Sequence, residues 1–198
     1  MEDLASRSLE GKPPHIGGDE DKVPARIRAA LEGIQEDKPE ELRKAVRELL
    51  DKESAHWMEQ VRGGGNGLSV AHQRSNFFSI LLCELWKRAG GTKAGETLVM
   101  GAVGGFGRGE MSPASDLDLV FIRDGSQSEA AEEVVKKVLY VLWDLGCKVG
   151  HACRTISESI ECSESEPMIK TALLDERYLA GSTLLWEKFQ SEYKKRSL

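Results

Sequence analysis

The sequence lacks a cationic excess. Its 27 lysines and arginines stand against 33 aspartates and glutamates, a net charge of −6 over 198 residues. That argues against sequence-independent binding to nucleic acid, which needs a basic face. It leaves room for a local basic pocket and a phosphate-bearing ligand. No apolar run reaches the roughly 18 residues of a membrane span, and no secretory apolar region is present. Cysteine is scarce: Cys83, Cys147, Cys153 and Cys162 form no C-x-x-C pair, which speaks against a zinc site and for reduced thiols in the cytoplasm. No internal repeat occurs. With 40% hydrophobic and 30% charged residues, the expectation is an ordinary globular protein with one real core.

Residues 1–22 are polar, with Pro13-Pro14 and Gly17-Gly18, and read as a poorly ordered leader. From Val23 to Arg62 the apolar residues recur at helical spacing, and Pro39 suits the first turn of a second helix. The glycine-rich break from Gly63 to Gly67 precedes an apolar helix predicted from Val70 to Arg88 and ended by Gly90-Gly91. The period then changes. Thr97 to Val103 and Leu117 to Ile122 read as buried strands, and Cys147 to Arg154 as a third. Between the last two, Ser126-Gln127-Ser128-Glu129 has a capping-box spacing that opens a helix to about Leu145. Thr155 to Glu158 and Ser163 to Glu166 repeat that spacing. The second opens a helix expected to carry Ile169, Leu173, Leu174 and Leu179 to a stop at Gly181, before a last helix from Thr183 to Lys194. The order gives an α/β (α+β) class: a small mixed sheet flanked by helices, with helical extensions at both ends.

The chemistry concentrates between Val103 and Ile122. Gly104 and Gly105 follow the first strand, and without a Cβ they let backbone amides approach phosphate oxygens. Arg108 supplies a fixed cation suited to phosphate. Asp116 and Asp118 lie two apart on a strand, so both carboxylates face one side while Leu117 and Leu119 face the core. Two carboxylates on one face repel unless a cation lies between them. Mg²⁺ fits, because it takes oxygen ligands and shares carboxylates with substrate phosphates. A lone D-x-D is weak; the strand, the Gly-Gly and the D-x-D entering a second strand together are sharp.

That combination matches the DNA polymerase beta-like nucleotidyltransferase superfamily. The run V-G-G-F-G-R-G-E-M-S-P-A-S-D-L-D-L-V-F-I further resembles the amino-terminal catalytic domain of bacterial protein-PII uridylyltransferases. Leu142 to Thr155 and Thr171 to Gly181 resemble two later blocks, so the likeness covers about Ser54 to Tyr193. The resemblance implies a sheet of the nucleotidyltransferase type in residues 91–198, behind a helical region over 23–90. It implies transfer of UMP from UTP to a tyrosine of the PII signalling protein, with release of pyrophosphate. In that reading Asp116 and Asp118 hold Mg²⁺ and are catalytic, and Gly104, Gly105, Arg108 and Ser115 contact the nucleotide.

Full-length members of that family are several times longer, adding a phosphohydrolase domain and two glutamine-sensing domains, and neither function is assigned here. Many superfamily members also use a third carboxylate on a later strand, and Lys148 to Arg154 contains no acid. His151 takes the prominent polar position there, as a catalytic or ligand residue or as a structural histidine. Lys148 and Arg154 face the triphosphate or flank a sheet edge. Asp144 and Asp175 read as surface or capping groups, and the four tryptophans as packing. Two other readings stay open: the same chemistry on another protein or small-molecule acceptor, and a non-catalytic nucleotide-binding module. Neither nucleic acid nor membrane is expected as a partner.

Overall fold

The computed structural model describes residues 22–35, 38–94, 96–126 and 128–197; the leader expected over 1–22 lies almost wholly outside them. Three helices come first: α1 (Val23–Leu31), α2 (Pro39–Arg62) and α3 (Gly67–Arg88). Pro39 opens α2 as expected. Helix α3 starts three residues earlier than the apolar pattern does, because the Asn66 side chain accepts a hydrogen bond from the Leu68 amide and caps it there.

Strand β1 (Leu98–Ala102) leads into a single helical turn, α4 (Gly104–Gly107), and then to β2 (Leu117–Arg123). Helix α5 (Glu129–Asp144) crosses to β3 (Val149–Thr155). Ser128, not Ser126, caps α5, accepting from the Ala131 amide; Ser126 is taken by the Asp124 carboxylate. Helix α6 (Ile156–Ser165) begins with the capping box foreseen at Thr155 and Glu158.

Two expectations fail after that. Ser163 is not a cap: its hydroxyl is buried within α6 and donates to the Ile160 carbonyl. Helix α7 (Pro167–Leu174) begins instead at Pro167 and stops at Leu174. The following residues, expected to be helical up to Gly181, form strand β4 (Arg177–Gly181). The open edge of β1 takes β4 as partner, and a bulge at Leu179 breaks the alternation that would have announced a strand. Helix α8 (Thr183–Ser197) closes the described chain.

The sheet runs β3-β2-β1-β4. The pairs β1–β2 and β1–β4 are antiparallel and β2–β3 is parallel, so the mixed α/β architecture holds. The two faces are covered differently. Leu98, Met100, Ala102, Leu117, Leu119 and Phe121 join α1, α2, α3 and α5 in one core. Val99, Val103, Val120 and Ile122 pack against α6, α7 and α8 in a second. The alternation that sends Leu117 and Leu119 to the first core puts Asp118 on the second face, at the entry of β2.

Candidate active site

The ends of β1 and β2 are tied together where the Val103 amide donates to the Asp118 carbonyl, at 3.1 Å. This brings the first turn of α4 against Asp118. Gly104 has φ +58°, in the left-handed region that favours glycine, and a Cβ there would stand 3.7 Å from Asp118 Oδ2. On the other side Gly150 pairs in register with Asp118, and a Cβ on it would collide with Asp118 Oδ1. The Asp118 carboxylate therefore lies in a cradle shaped by two missing side chains. Asp116, just outside β2, is exposed; Asp118 is half-buried.

Burial first, and the neighbouring Asp116 charge second, push the Asp118 carboxyl above its ordinary value of 3.8. A site that resists its own negative charge in this way suits a cation. No cluster of three or more ligating side chains exists among the described residues. The pair thus fits an ion that draws its remaining ligands from water and substrate phosphates, as Mg²⁺ does.

The turn of α4 begins at Val103, so the amides of Gly104, Gly105 and Phe106 open the helix without acceptors inside it. The turn is clamped from behind. Gly107 is pressed against the Asp175 backbone, where any Cβ would overlap the carbonyl oxygen. Arg177, the first residue of β4, donates from Nη2 to the Phe106 carbonyl at 2.9 Å and from Nε to the Gly107 carbonyl at 3.0 Å. Its Nη1 reaches Ser79 Oγ at 3.1 Å, and its plane lies over the Phe106 ring. Sequence reasoning assigned Arg177 no role. The nearest signal was its place in the third block of the resemblance.

The other candidates are spread around this centre. Arg108 is exposed and already engaged, in an ion pair with Asp175 and with Glu110 at 3.5 Å. Asp175, expected to be a surface or capping group, thus reaches the glycine turn. Ser115 donates through its hydroxyl to the Ser112 carbonyl at 2.8 Å. Lys148 is exposed just before β3, and its carbonyl accepts from the Leu117 amide. Arg154 shares strand parity with Gly150 but pairs with Ile122, four residues beyond Asp118. His151 has the opposite parity, pairs with Leu119, and sets its ring edge-on to Trp143 with centroids 5.6 Å apart. The structure thus gathers Asp116, Asp118, Gly104 and Gly105, and turns His151 to the other face.

Comparison with known proteins agrees with this geometry. Residues 82–179 match the nucleotidyltransferase domain family. The chain is 38% identical over 144 residues to a protein of Phenylobacterium zucineum named bifunctional uridylyltransferase/uridylyl-removing enzyme, covering 69% of this chain and 15% of that one. A protein of the same name from Rhodospirillum rubrum is 35% identical over 175 residues, 85% of this chain and 17% of its own length. One from a Bradyrhizobium strain is 44% identical over 98 residues, 50% of this chain and 10% of its own. The chain therefore spans about 15% of the first of these relatives and 17% of the second. The glycine turn, the carboxylate pair and strands β1 to β3 lie within the matched stretch, so residues 82–179 carry the nucleotidyltransferase domain.

Proposed function

We propose that this protein transfers UMP from UTP to a tyrosine of a PII-type signalling protein, releasing pyrophosphate, in a Mg²⁺-dependent reaction in the cytoplasm. The nucleotidyl chemistry rests on one observation above the others: the Asp118 carboxylate cradled between Gly104 and Gly150, with Asp116 beside it. The choice of UMP rests on the relatives named uridylyltransferase.

In this reading Asp116 and Asp118 hold the ion through their carboxylates. Bound there, a divalent ion supplies Lewis-acid stabilisation of the charge that develops on the phosphates. The amides of Gly104 and Gly105 receive phosphate oxygens, and Arg177 keeps those amides aimed by holding the carbonyls at the far end of the turn. Arg108 reaches the phosphates only by exchanging Asp175 for them, so nucleotide entry and the Arg108–Asp175 pair compete. The acceptor phenol enters from the open side, where Asp116 is exposed.

One observation favours a second reading, a nucleotide-binding module without transfer. The β3 position in register with Asp118 is Gly150, and its neighbour on that face is Ala152, so no third carboxylate faces the pair from β3. One experiment separates the readings: α-³²P-UTP, Mg²⁺ and purified PII, with ATP, CTP and GTP in parallel and an Asp116→Ala/Asp118→Ala control. Label on PII from UTP alone, lost in the control, establishes the transferase. Metal-dependent nucleotide binding with no label on PII assigns another acceptor or the binding module.

A further inference from the structure

Arg74 is a basic residue for which the catalytic reading has no use. It leaves α3 with its guanidinium over two aromatic rings, 5.8 Å from the Trp57 centroid and 5.4 Å from that of Phe78. Its Nε is buried and has no hydrogen-bond partner among the described residues. A guanidinium carries five donors in a fixed plane. Stacking occupies its faces and leaves the donors at its edge unanswered. Buried donors in native proteins are almost always paired, so an unpaired one on a charged side chain calls for a physical reason.

The same side chain lines a cavity of about 350 Å³. Lys148, Ser115, Ser54 and Cys147 share the wall with apolar residues that include Met111 and Leu117, and no aspartate or glutamate lines it. In a chain with six more acids than bases, a cavity whose charged side chains are one arginine and one lysine is a local reversal of sign. Desolvation of Arg74 by its aromatic neighbours penalises the bare cation, and an anion would relieve that penalty. Ser115 and Leu117, the sequence neighbours of Asp116, line the cavity, but neither Asp116 nor Asp118 does.

We propose that this cavity is an anion subsite, in which Arg74 and Lys148 hold a phosphate oxyanion on the face of the sheet opposite Asp118. Arg74 gives bidentate contact and Lys148 a mobile point charge at the rim. The oxyanion has two possible sources, the phosphate tail of a nucleotide or a free inorganic anion. The site stands apart from the transfer reading, since it needs neither UTP chemistry nor the metal.

The test is calorimetric titration of the intact chain with pyrophosphate in EDTA at fixed ionic strength. Wild type is expected to bind saturably. Lys148→Met is expected to weaken binding about tenfold and Arg74→Met at least as much, the range for losing a charge-assisted hydrogen bond. Asp118→Asn is expected to retain binding, which separates this site from the catalytic one. Lys148 is exposed, so its variant carries the test even where Arg74→Met fails to fold. Metal-free UTP that displaces pyrophosphate assigns the subsite to a nucleotide tail; UTP that leaves it bound assigns a free anion. No saturable binding by wild type, or a Lys148→Met protein that binds as wild type does, overturns the proposal.

Discussion

On the proposed reading, Asp118 sets function against stability at a single residue. Its carboxyl is raised by burial and by Asp116, so the folded state binds that proton more tightly than the unfolded chain does. The sign follows from linkage: the contribution to stability is full below 3.8 and is lost as pH rises through the higher folded value. In EDTA, Asp118→Asn is therefore expected to melt no lower than wild type at pH 7 and to flatten the fall in melting temperature above pH 4. The same variant should lose at least ~10²-fold in transfer rate, the scale of removing an electrostatic stabiliser. Gly150→Ala should push the carboxylate out of its cradle and lower kcat more than it lowers the melting temperature. His151→Ala, on the opposite face, should leave transfer nearly intact, and a large loss would return His151 to the site. The facing of Asp118 was legible in sequence because strand alternation is local, whereas Asp116, expected on the same strand, lies just outside β2. The facing of His151 was not, because it depends on the parallel register of β2 and β3, which no short stretch encodes.

At the scale of elements, local signals were read unevenly: the capping spacing held at Thr155 and failed at Ser126 and Ser163. The Thr155 capping box fixes the start of α6, and Thr155→Ala should cost about 1 kcal/mol in chemical denaturation. Salt bridges Glu132–Lys136 and Glu133–Lys137 lie on the exposed face of α5 at the i,i+4 spacing of a helix. Strand β4 was missed because its identity is tertiary: its bulged, half-exposed R-Y-L-A-G acquires strand geometry from the free edge of β1. Arg177 escaped for the same reason, since the carbonyls it grips lie about 70 residues earlier. Arg177→Ala should loosen the α4 turn, raise KM for the nucleotide and cost about 3 kcal/mol, since it removes charged hydrogen bonds from buried carbonyls. A KM unchanged beside wild type would reduce Arg177 to a packing role.

For the molecule as a whole, the sheet is the partition and both its sides are loaded. The amino-terminal helices share one core with α5 and the sheet, so residues 23–90 and the strands after them are packed against each other. The second core hangs on α6, α7 and α8, with Phe189 fully buried between Trp186 and Tyr193. Phe189→Ala should cost about 3–5 kcal/mol, a large share of the stability of a domain this size. Because both cores grip the same four strands, tryptophan fluorescence and far-ultraviolet circular dichroism should report a single coincident unfolding transition. No helix among the described residues is long and apolar enough to cross a membrane.

The clamp that Arg177 places on the α4 turn also has a consequence in time. A ribosome delivers Gly104 and Asp118 well before it delivers β4, and at roughly 5–20 residues per second the interval between Gly107 and Arg177 lasts about 4 to 14 seconds. Through that interval the glycine turn and the carboxylate pair exist on the nascent chain without their lock. The lock on the turn arrives only with the edge strand, and a chain stalled before residue 177 carries the glycine turn and the carboxylate pair without the part that holds them still.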